Sequence, residues 1–234
     1  MQGSVLKSYL YGIKKSVPVF FGFLPVAITF AILAGSVGLN GLEATTMSVL
    51  VYAGASQIMA VQMIGAGAGS LSIILATFVL NLRHLIMGTC VFRKIKIKNF
   101  LLKLIGAFAI TDEGFAIITT EEDSKCNVPY MLGVITLTYL SWIFGTVIGA
   151  VASNILPQIV ADSFGIALYA LFLALIVPDV KKSVRLLGVV CFTALVNSAL
   201  VLVLKLEGSW AIIISTLLGA AVGTLIVEDG EEKE

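Results

Sequence analysis

Residues 78–88 read FVLNLRHLIMG, and they lie inside an apolar run, 70–92, that is long enough for one membrane crossing. Asn81, Arg83 and His84, the only histidine in the chain, stand near the middle of that run. Ionisable side chains at membrane depth are expensive, and they usually face a protein interior or a water-filled cavity. The stretch therefore predicts a helical membrane protein that carries a polar site at mid-membrane.

The overall composition agrees with this prediction. Of 234 residues, 59% are hydrophobic and 12% are charged, whereas soluble domains carry about 25% charged residues. The chain has no basic patch that would indicate a nucleic-acid partner. Its three cysteines lack the spacing of a disulfide framework or a zinc site. We therefore expect the lipid bilayer as its environment, with no metal and no cofactor.

Other apolar windows predict further helices, since a transmembrane β-barrel would show alternating segments of about ten residues instead. These windows are 17–39, 44–65, 130–152, 186–204 and 210–227, with shorter ones at 104–120 and 164–177. The predicted organisation is a cytoplasmic N-terminal segment, 1–16, a single transmembrane permease domain, 17–227, and an acidic C-terminal tail, 228–234.

Basic residues set the orientation, because cytoplasmic loops of membrane proteins carry an excess of lysine and arginine. Three clusters stand out, and they comprise Lys7, Lys14 and Lys15, then Arg93, Lys94, Lys96, Lys98 and Lys103, then Lys181, Lys182 and Arg185. Three windows separate each cluster from the next, so one window in each set must fail to cross if all clusters are cytoplasmic. We expect about six spanning helices, two re-entrant, broken or partial helices, and both termini in the cytoplasm.

The glycine-rich stretch 44–69, ATTMSVLVYAGASQIMAVQMIGAGAG, is the first expected interruption. A break near Gly54 would free backbone groups, which must then line a protein-enclosed cavity. The alternative is an ordinary span whose glycines only pack against neighbouring helices. The short window 104–120, which contains Asp112 and Glu113, is the second expected interruption. One interrupted element in each half suggests an inverted repeat, although no repeat is visible residue by residue.

Arg83 lies ten residues from Arg93, so it is about 15 Å from the basic end of its helix. On a straight helix Asn81 and His84 share a face, while Arg83 points elsewhere. Two interpretations stay open, a fork for a substrate carboxylate or a fixed counter-ion to Asp112 or Glu113. We expect a local irregularity that lets Arg83 join the other two.

Two adjacent carboxylates inside an apolar window would not both ionise cheaply. That property suits a proton carrier, but Asp112 and Glu113 could equally lie in interfacial water. His84 titrates near neutral pH and is a third candidate for proton coupling.

The ordered segments GFLPVAITFAILAG, MSVLVYAGASQIMAVQMIGAGA, NLRHLIMG, TDEGFAI and ADSFGIALYALFLALIVP resemble the AzlC-like family, across about residues 17 to 226. Members of that family are the large permease subunits of branched-chain amino-acid exporters, and they work with a small hydrophobic AzlD-like subunit. Tyr52 departs from the phenylalanine that is common in the family. The resemblance implies a multi-pass protein of the cell membrane that exports leucine, isoleucine, valine and some methionine.

We expect alternating access around a pocket at the broken 44–69 element and the 70–92 helix. The predicted substrate-binding residues are Gly54, Ala55, Ser56, Gln57, Asn81 and Arg83, and the predicted proton-coupling residues are His84, Asp112 and Glu113. No nucleotide-binding motif is present, so proton coupling is the natural energy source. A passive channel or facilitator for small zwitterionic metabolites, and a non-transporting sensing subunit, are the alternatives. An enzyme is not expected, because His84 has no nucleophile nearby on its own helix.

Overall fold

The structure is a computed structural model that describes residues 2–153, 183–206 and 208–226, together with positions 173, 177, 180 and 181. Helices form all of the regular structure in this described part, which confirms the all-helical fold. The chain divides into two compact units, one from Met1–Gln62 and Leu80–Ala167 and the other from Met63–Val79 and Leu168–Glu234.

Two long helices, α1 (Gln2–Ser36) and α8 (Val128–Ser153), pack along each other and form the central helix pair of the first unit. Glycines on α8 allow their close approach, because a Cβ at Gly149 would lie only 2.5 Å from the Ile28 carbonyl oxygen. α1 begins at Gln2, so residues 2–16 of the predicted N-terminal segment are helical and continuous with the first span.

The expected interruption in the 44–69 stretch is confirmed. α2 (Gly41–Leu50) and α3 (Gly54–Gly65) are separated by three non-helical residues, of which Tyr52 has a φ of +45°. A positive φ is uncommon for a bulky aromatic residue, so the backbone at Tyr52 departs clearly from helical geometry. The start of α2 is well fixed, because Asn40 and Glu43 form a capping box.

Two more interruptions follow. α4 (Ser70–Asn81) and α5 (Arg83–Ile95) meet at the single residue Leu82, which confirms the expected irregularity beside Arg83. α6 (Phe100–Ala109) and α7 (Asp112–Thr120) are separated by two extended residues, Ile110 and Thr111. Thr111 is the N-cap of α7, since its hydroxyl accepts a hydrogen bond from the Gly114 amide at 3.2 Å.

A cluster around Glu121 fixes the far end of α7 against three other helices. The Glu121 carboxylate lies 3.1 Å from Lys15 Nζ and accepts hydrogen bonds from the hydroxyls of Tyr11 and Tyr130. The ammonium of Lys94 donates to the carbonyls of Thr119 and Glu121, each at 2.6 Å. Burial alone would raise the pKa of the Glu121 carboxyl, but hydrogen bonds from Lys15 and the following amide hold that pKa below its usual range.

The second unit contains α9 (Val184–Leu202) and α10 (Gly208–Ile226), which pack against each other. Gly219 lies against the Thr193 side chain, so the two backbones come close. The Ser215 hydroxyl donates a hydrogen bond to the Asn197 amide oxygen at 3.4 Å. A polar pair of this kind between helices is typical of membrane proteins.

Within the described residues, four helical runs are long and apolar enough to cross a membrane, and they are Val5–Ser36, Ser70–Ile95, Val128–Ser153 and Val184–Leu202. They match the predicted windows 17–39, 70–92, 130–152 and 186–204. The window 210–227 corresponds to the apolar helix Trp210–Ile226, and the window 44–65 is the broken α2 and α3 pair. The window 164–177, apart from positions 173 and 177, and the tail 228–234 lie outside the described residues. The number of crossings stays a prediction.

Candidate functional site

The first break is held against α8 by Trp142. A Cβ at Gly54 would lie 2.5 Å from the Trp142 ring, so only glycine permits this contact without movement. Trp142 is itself 4% exposed, and its ring packs edge-on against Phe23 at 5.6 Å. The predicted residues Gly54 and Ala55 thus begin α3 at a fixed position, close to the middle of the long helix α8.

Gln57 lies in a buried hydrogen-bond network that also includes Ser48, Trp142 and Thr146, and we call these four residues the anchor network. Gln57 Oε1 accepts from the Trp142 indole at 3.1 Å, and Gln57 Nε2 donates to Ser48 Oγ at 3.2 Å. The hydroxyls of Ser48 and Thr146 are 2.8 Å apart. Because both ends of the Gln57 amide are engaged, this predicted substrate-binding residue fastens α2, α3 and α8 together.

Ser56 connects the first break to the second. Its hydroxyl is fully buried, donates to the Ala53 carbonyl at 2.9 Å, and accepts from Asn81 Nδ2 at 3.1 Å. Asn81 is the last residue of α4, immediately before Leu82. Its amide oxygen, Oδ1, is buried and has no hydrogen-bond partner among the described residues.

Arg83 connects the second break to the third. Arg83 begins α5, and its Nη1 lies 2.9 Å from Oδ2 of Asp112, the first residue of α7. Both side chains are partly exposed, at 36% and 46%. Arg83 Nε is buried without a partner among the described residues, so the guanidinium has an unused donor. The counter-ion interpretation of Arg83 is therefore the contact that the structure shows, with capacity left for a ligand.

Tyr52 and Glu113 connect the third break back to the first. The Tyr52 side chain is 2% exposed and reaches the α7 side of the unit, where the Glu113 carboxylate and the Thr138 side chain are its polar neighbours. Its ring packs edge-on against Tyr139 at 4.8 Å and lies 6.2 Å from Phe108. The Tyr52 hydroxyl is buried and makes no hydrogen bond of normal geometry within the described part of the chain.

One hydrogen bond, one ion pair and the electrostatic proximity of Tyr52 to Glu113 link the three helix breaks in a circuit, and we call it the three-break site. Its members are Tyr52, Ser56, Asn81, Arg83, Asp112 and Glu113. The three unpaired buried side-chain atoms of the described residues all belong to it, and they are a donor, Arg83 Nε, an acceptor, Asn81 Oδ1, and the Tyr52 hydroxyl, which can donate or accept. An unpaired buried polar group costs about 1–3 kcal/mol. Such a cluster therefore indicates a place where a polar ligand supplies the missing partners.

His84, a predicted proton-coupling residue, lies beside this site rather than within the circuit. The imidazole is half-buried, and Arg83 and Asp112 are its charged neighbours. Asn81 and Arg83 flank Leu82, the irregular residue between α4 and α5, whereas His84 follows Arg83 in regular helix. No group of His, Cys, Asp and Glu side chains that could hold a metal ion occurs in the ranges that the structure describes.

Tyr52 and Trp142 are the site residues that the sequence interpretation did not select. Aromatic residues in apolar windows are ordinary core residues, and neither stands at a motif spacing. A tyrosine two positions before a helix-breaking glycine is a weak signal for Tyr52. The Trp142 contact joins residues 85 positions apart, so no local pattern shows it.

An all-helical membrane protein with helices interrupted around buried polar side chains is the class that this fold and site define. The sequence model described as AzlC protein matches residues 18–156, which is more than half of the chain. The chain belongs to the AzlC family.

Relatives with curated sequences agree with this assignment. An uncharacterized membrane protein of Archaeoglobus fulgidus is 34% identical over 182 residues, which cover 76% of this chain and 80% of the relative. The inner membrane protein YgaZ of Escherichia coli is 31% identical over 204 residues, with 82% and 80% covered. The branched-chain amino acid transport protein AzlC of Bacillus subtilis is 25% identical over 174 residues, with 71% and 66% covered. No solved structure matches the chain.

Proposed function

We propose that this protein transports α-amino acids and that the three-break site is where the substrate binds. The single observation that carries the proposal is the set of unpaired buried atoms around the breaks, namely one donor, one acceptor and one hydroxyl that can act as either. A zwitterionic amino acid is complementary to that set, since its carboxylate accepts hydrogen bonds and its ammonium group donates them. Secondary transporters often build such sites from interrupted helices near the membrane midplane.

The carboxylate end of the substrate is assigned to Arg83 and the start of α3. Arg83 Nε is the unused charged donor, and the first amides of α3, at Gly54 and Ala55, have no partner within their own helix. A helix N-terminus also carries a partial positive charge, which favours an anionic group. Ser56 and Asn81 would then border the bound substrate, while Gln57 holds the first break in place.

The name of the Bacillus subtilis relative suggests branched-chain substrates, that is leucine, isoleucine and valine, with methionine as a further candidate. Apolar walls discriminate poorly among these side chains, because one methylene changes the binding free energy by only about 1–3 kcal/mol. We therefore expect a transporter that accepts the whole group, with affinities that differ by at most about 10–200-fold between side chains one methylene apart.

The proposed direction is export from the cytoplasm, driven by the proton gradient, with both termini in the cytoplasm of the cell membrane. The basic clusters support this orientation through the positive-inside rule. His84, Asp112 and Glu113 are the candidates for proton coupling. A small hydrophobic AzlD-like subunit is the proposed partner, as the family resemblance implies.

Release of labelled leucine tests the proposal directly. Cells that express the protein are loaded with a labelled leucine dipeptide, and the released amino acid is followed over time. Arg83→Ala should abolish the transporter-dependent efflux, whereas Arg93→Ala, on the exposed end of the same helix, should leave it intact. An equally abundant Arg83→Ala protein with normal efflux would remove Arg83 from the mechanism.

The energy source has its own test. Collapse of the proton gradient should stop the efflux of leucine against its concentration gradient. Efflux of leucine down its concentration gradient should continue. Uphill efflux that persists without a proton gradient would exclude proton coupling. Flux that never runs uphill in either condition would identify a passive facilitator.

A further inference from the structure

The two neighbouring carboxylates at the start of α7 have different surroundings. Asp112 is paired with Arg83 at 2.9 Å, so its charge is balanced within the protein. Glu113 makes no ion pair with any described residue, and its polar neighbours are Thr111, its own backbone amide, Asp112 and Arg83. The Asp112 carboxylate therefore has a structural role, and the Glu113 carboxylate is available to bind a cation or a proton.

Glu113 lies in the first turn of α7, next to the paired Asp112, and the Tyr52 side chain is within reach of its charge. The Tyr52 side chain is 2% exposed, and its hydroxyl has Thr138 as a polar neighbour but makes no hydrogen bond of normal geometry within the described residues, so it can still serve a ligand. The ring of Tyr52 forms an aromatic cluster with Phe108 and Tyr139. A carboxylate, a hydroxyl oxygen and aromatic faces together form the environment that binds an ammonium group.

The charges around the three-break site place the substrate in one orientation. Arg83 and the α3 amides favour the carboxylate of an amino acid. Glu113 has no countercharge of its own and favours the ammonium group. We propose that the Glu113 carboxylate, with the Tyr52 hydroxyl beside it, binds either the substrate's ammonium group or a proton, but not both. This assignment rests on the proposed transport function.

Alternate occupancy of one carboxylate couples the two fluxes without a second site. On the cytoplasmic side, binding of the ammonium group displaces the proton from Glu113 into the cytoplasm. After the substrate leaves on the outer side, Glu113 takes a proton from the external water, and the neutral site returns. One proton enters for each amino acid that is exported, so an acidic exterior drives the cycle.

Equilibrium binding of labelled leucine measures this competition. The protein is purified in lipid nanodiscs, with any subunit that co-purifies, and leucine is titrated between about pH 5 and about pH 8, where its amino group stays charged. In the wild type we expect the apparent Kd to rise about tenfold per unit of falling pH on the acid side, since one proton competes with one ammonium group. The matched control is Glu122→Gln, which removes an exposed carboxylate that pairs with Lys125 near the end of α7.

Variants of Glu113 and Tyr52 separate binding from folding. Glu113→Gln should bind leucine about ten- to a hundredfold more weakly at the alkaline end and lose the pH dependence, because a charge-assisted contact is gone. Glu113→Asp should restore the pH dependence in part. Tyr52→Phe, which keeps the aromatic contacts, should keep the pH dependence and weaken binding about three- to tenfold at every pH.

The outcomes are distinguishable. Wild-type pH dependence in Glu113→Gln, at any affinity, would overturn the proposal, because the competing proton would then bind elsewhere. Wild-type affinity in Tyr52→Phe would remove the hydroxyl from the site. A wild-type protein that does not bind leucine at any pH would refute the proposed function itself.

Discussion

The anchor network and the three-break site are both buried and polar, and they meet at the start of α3, yet their hydrogen bonding differs. In the anchor network, Gln57 uses both ends of its amide, and the Trp142 indole and the Ser48 hydroxyl are paired. In the three-break site, Tyr52, Asn81 and Arg83 each keep one unpaired buried atom. The consecutive residues Ser56 and Gln57 thus have different roles, because Ser56 belongs to the three-break site and Gln57 to the anchor network.

The comparison separates a structural role from a binding role. A satisfied network stabilises one arrangement of the helices, because removal of any member leaves a buried partner unpaired. An unsatisfied site lowers stability and gains its partners from a ligand. Substitutions in the anchor network should therefore act on stability, and substitutions in the three-break site should act on transport.

Trp142→Ala should have the largest effect on stability. Trp142 contacts Gly54, Gln57 and Phe23 and is 4% exposed, so its loss leaves a cavity and should cost about 3–5 kcal/mol. Thermal unfolding in detergent measures the change. The control is Trp210→Ala. Trp210 is the second tryptophan of the chain and is 38% exposed, so its loss should lower the free energy of unfolding much less. Similar losses in the two variants would contradict the anchoring role of Trp142.

Gln57→Leu should have the next largest effect. The leucine keeps the volume but leaves the Trp142 indole without an acceptor, which should cost about 1–3 kcal/mol. Gln62→Leu, at an exposed position of the same helix, should be neutral in the same unfolding assay. If Gln57→Leu is as stable as the wild type but loses leucine binding, Gln57 belongs to the binding site, as the sequence analysis expected.

Local patterns predicted the breaks and offered Asp112 as one of two counter-ions for Arg83, but they did not predict the other partners. Glycine next to polar residues predicted the break before α3, and the angular mismatch between Arg83 and its neighbours predicted the irregularity at Leu82. The pairing of Gln57 with Trp142 and the position of Tyr52 beside Glu113 depend on how distant segments pack against α8. A sequence shows that a polar residue lies in an apolar segment, but the partner that satisfies its hydrogen bonds is often seen only in the packed structure.

Asn81→Leu should have the opposite effect to Gln57→Leu, with little change in stability and a large loss of transport. The change removes one hydrogen bond to Ser56 and also the unpaired Oδ1, so the two contributions oppose each other and stability should change by about 1 kcal/mol or less. Leucine efflux should fall at least about tenfold, because a polar contact to the substrate is lost. Paired efflux and unfolding measurements check both parts. A large loss of stability with unchanged efflux would place Asn81 with the anchor network.

Glu121 should show the smallest effect, and only in acid. The pKa of its carboxyl is lowered in the folded protein, so its contribution to stability is present above the unfolded value, about 4.3, and is lost as the pH falls below it. Unfolding midpoints between about pH 7 and about pH 3.5 should fall less steeply for Glu121→Gln than for the wild type. Identical slopes would show that the contacts with Lys15, Tyr11 and Tyr130 do not depend on the charge of Glu121.

An experimental structure with leucine bound tests the central claim most directly. We expect density for the amino acid within the three-break site, with its carboxylate at Arg83 Nε and the start of α3 and its ammonium group at Glu113 and the Tyr52 hydroxyl. The anchor network should be unchanged in that structure. Leucine bound elsewhere, with the Tyr52 hydroxyl, Asn81 Oδ1 and Arg83 Nε still unpaired, would contradict the account.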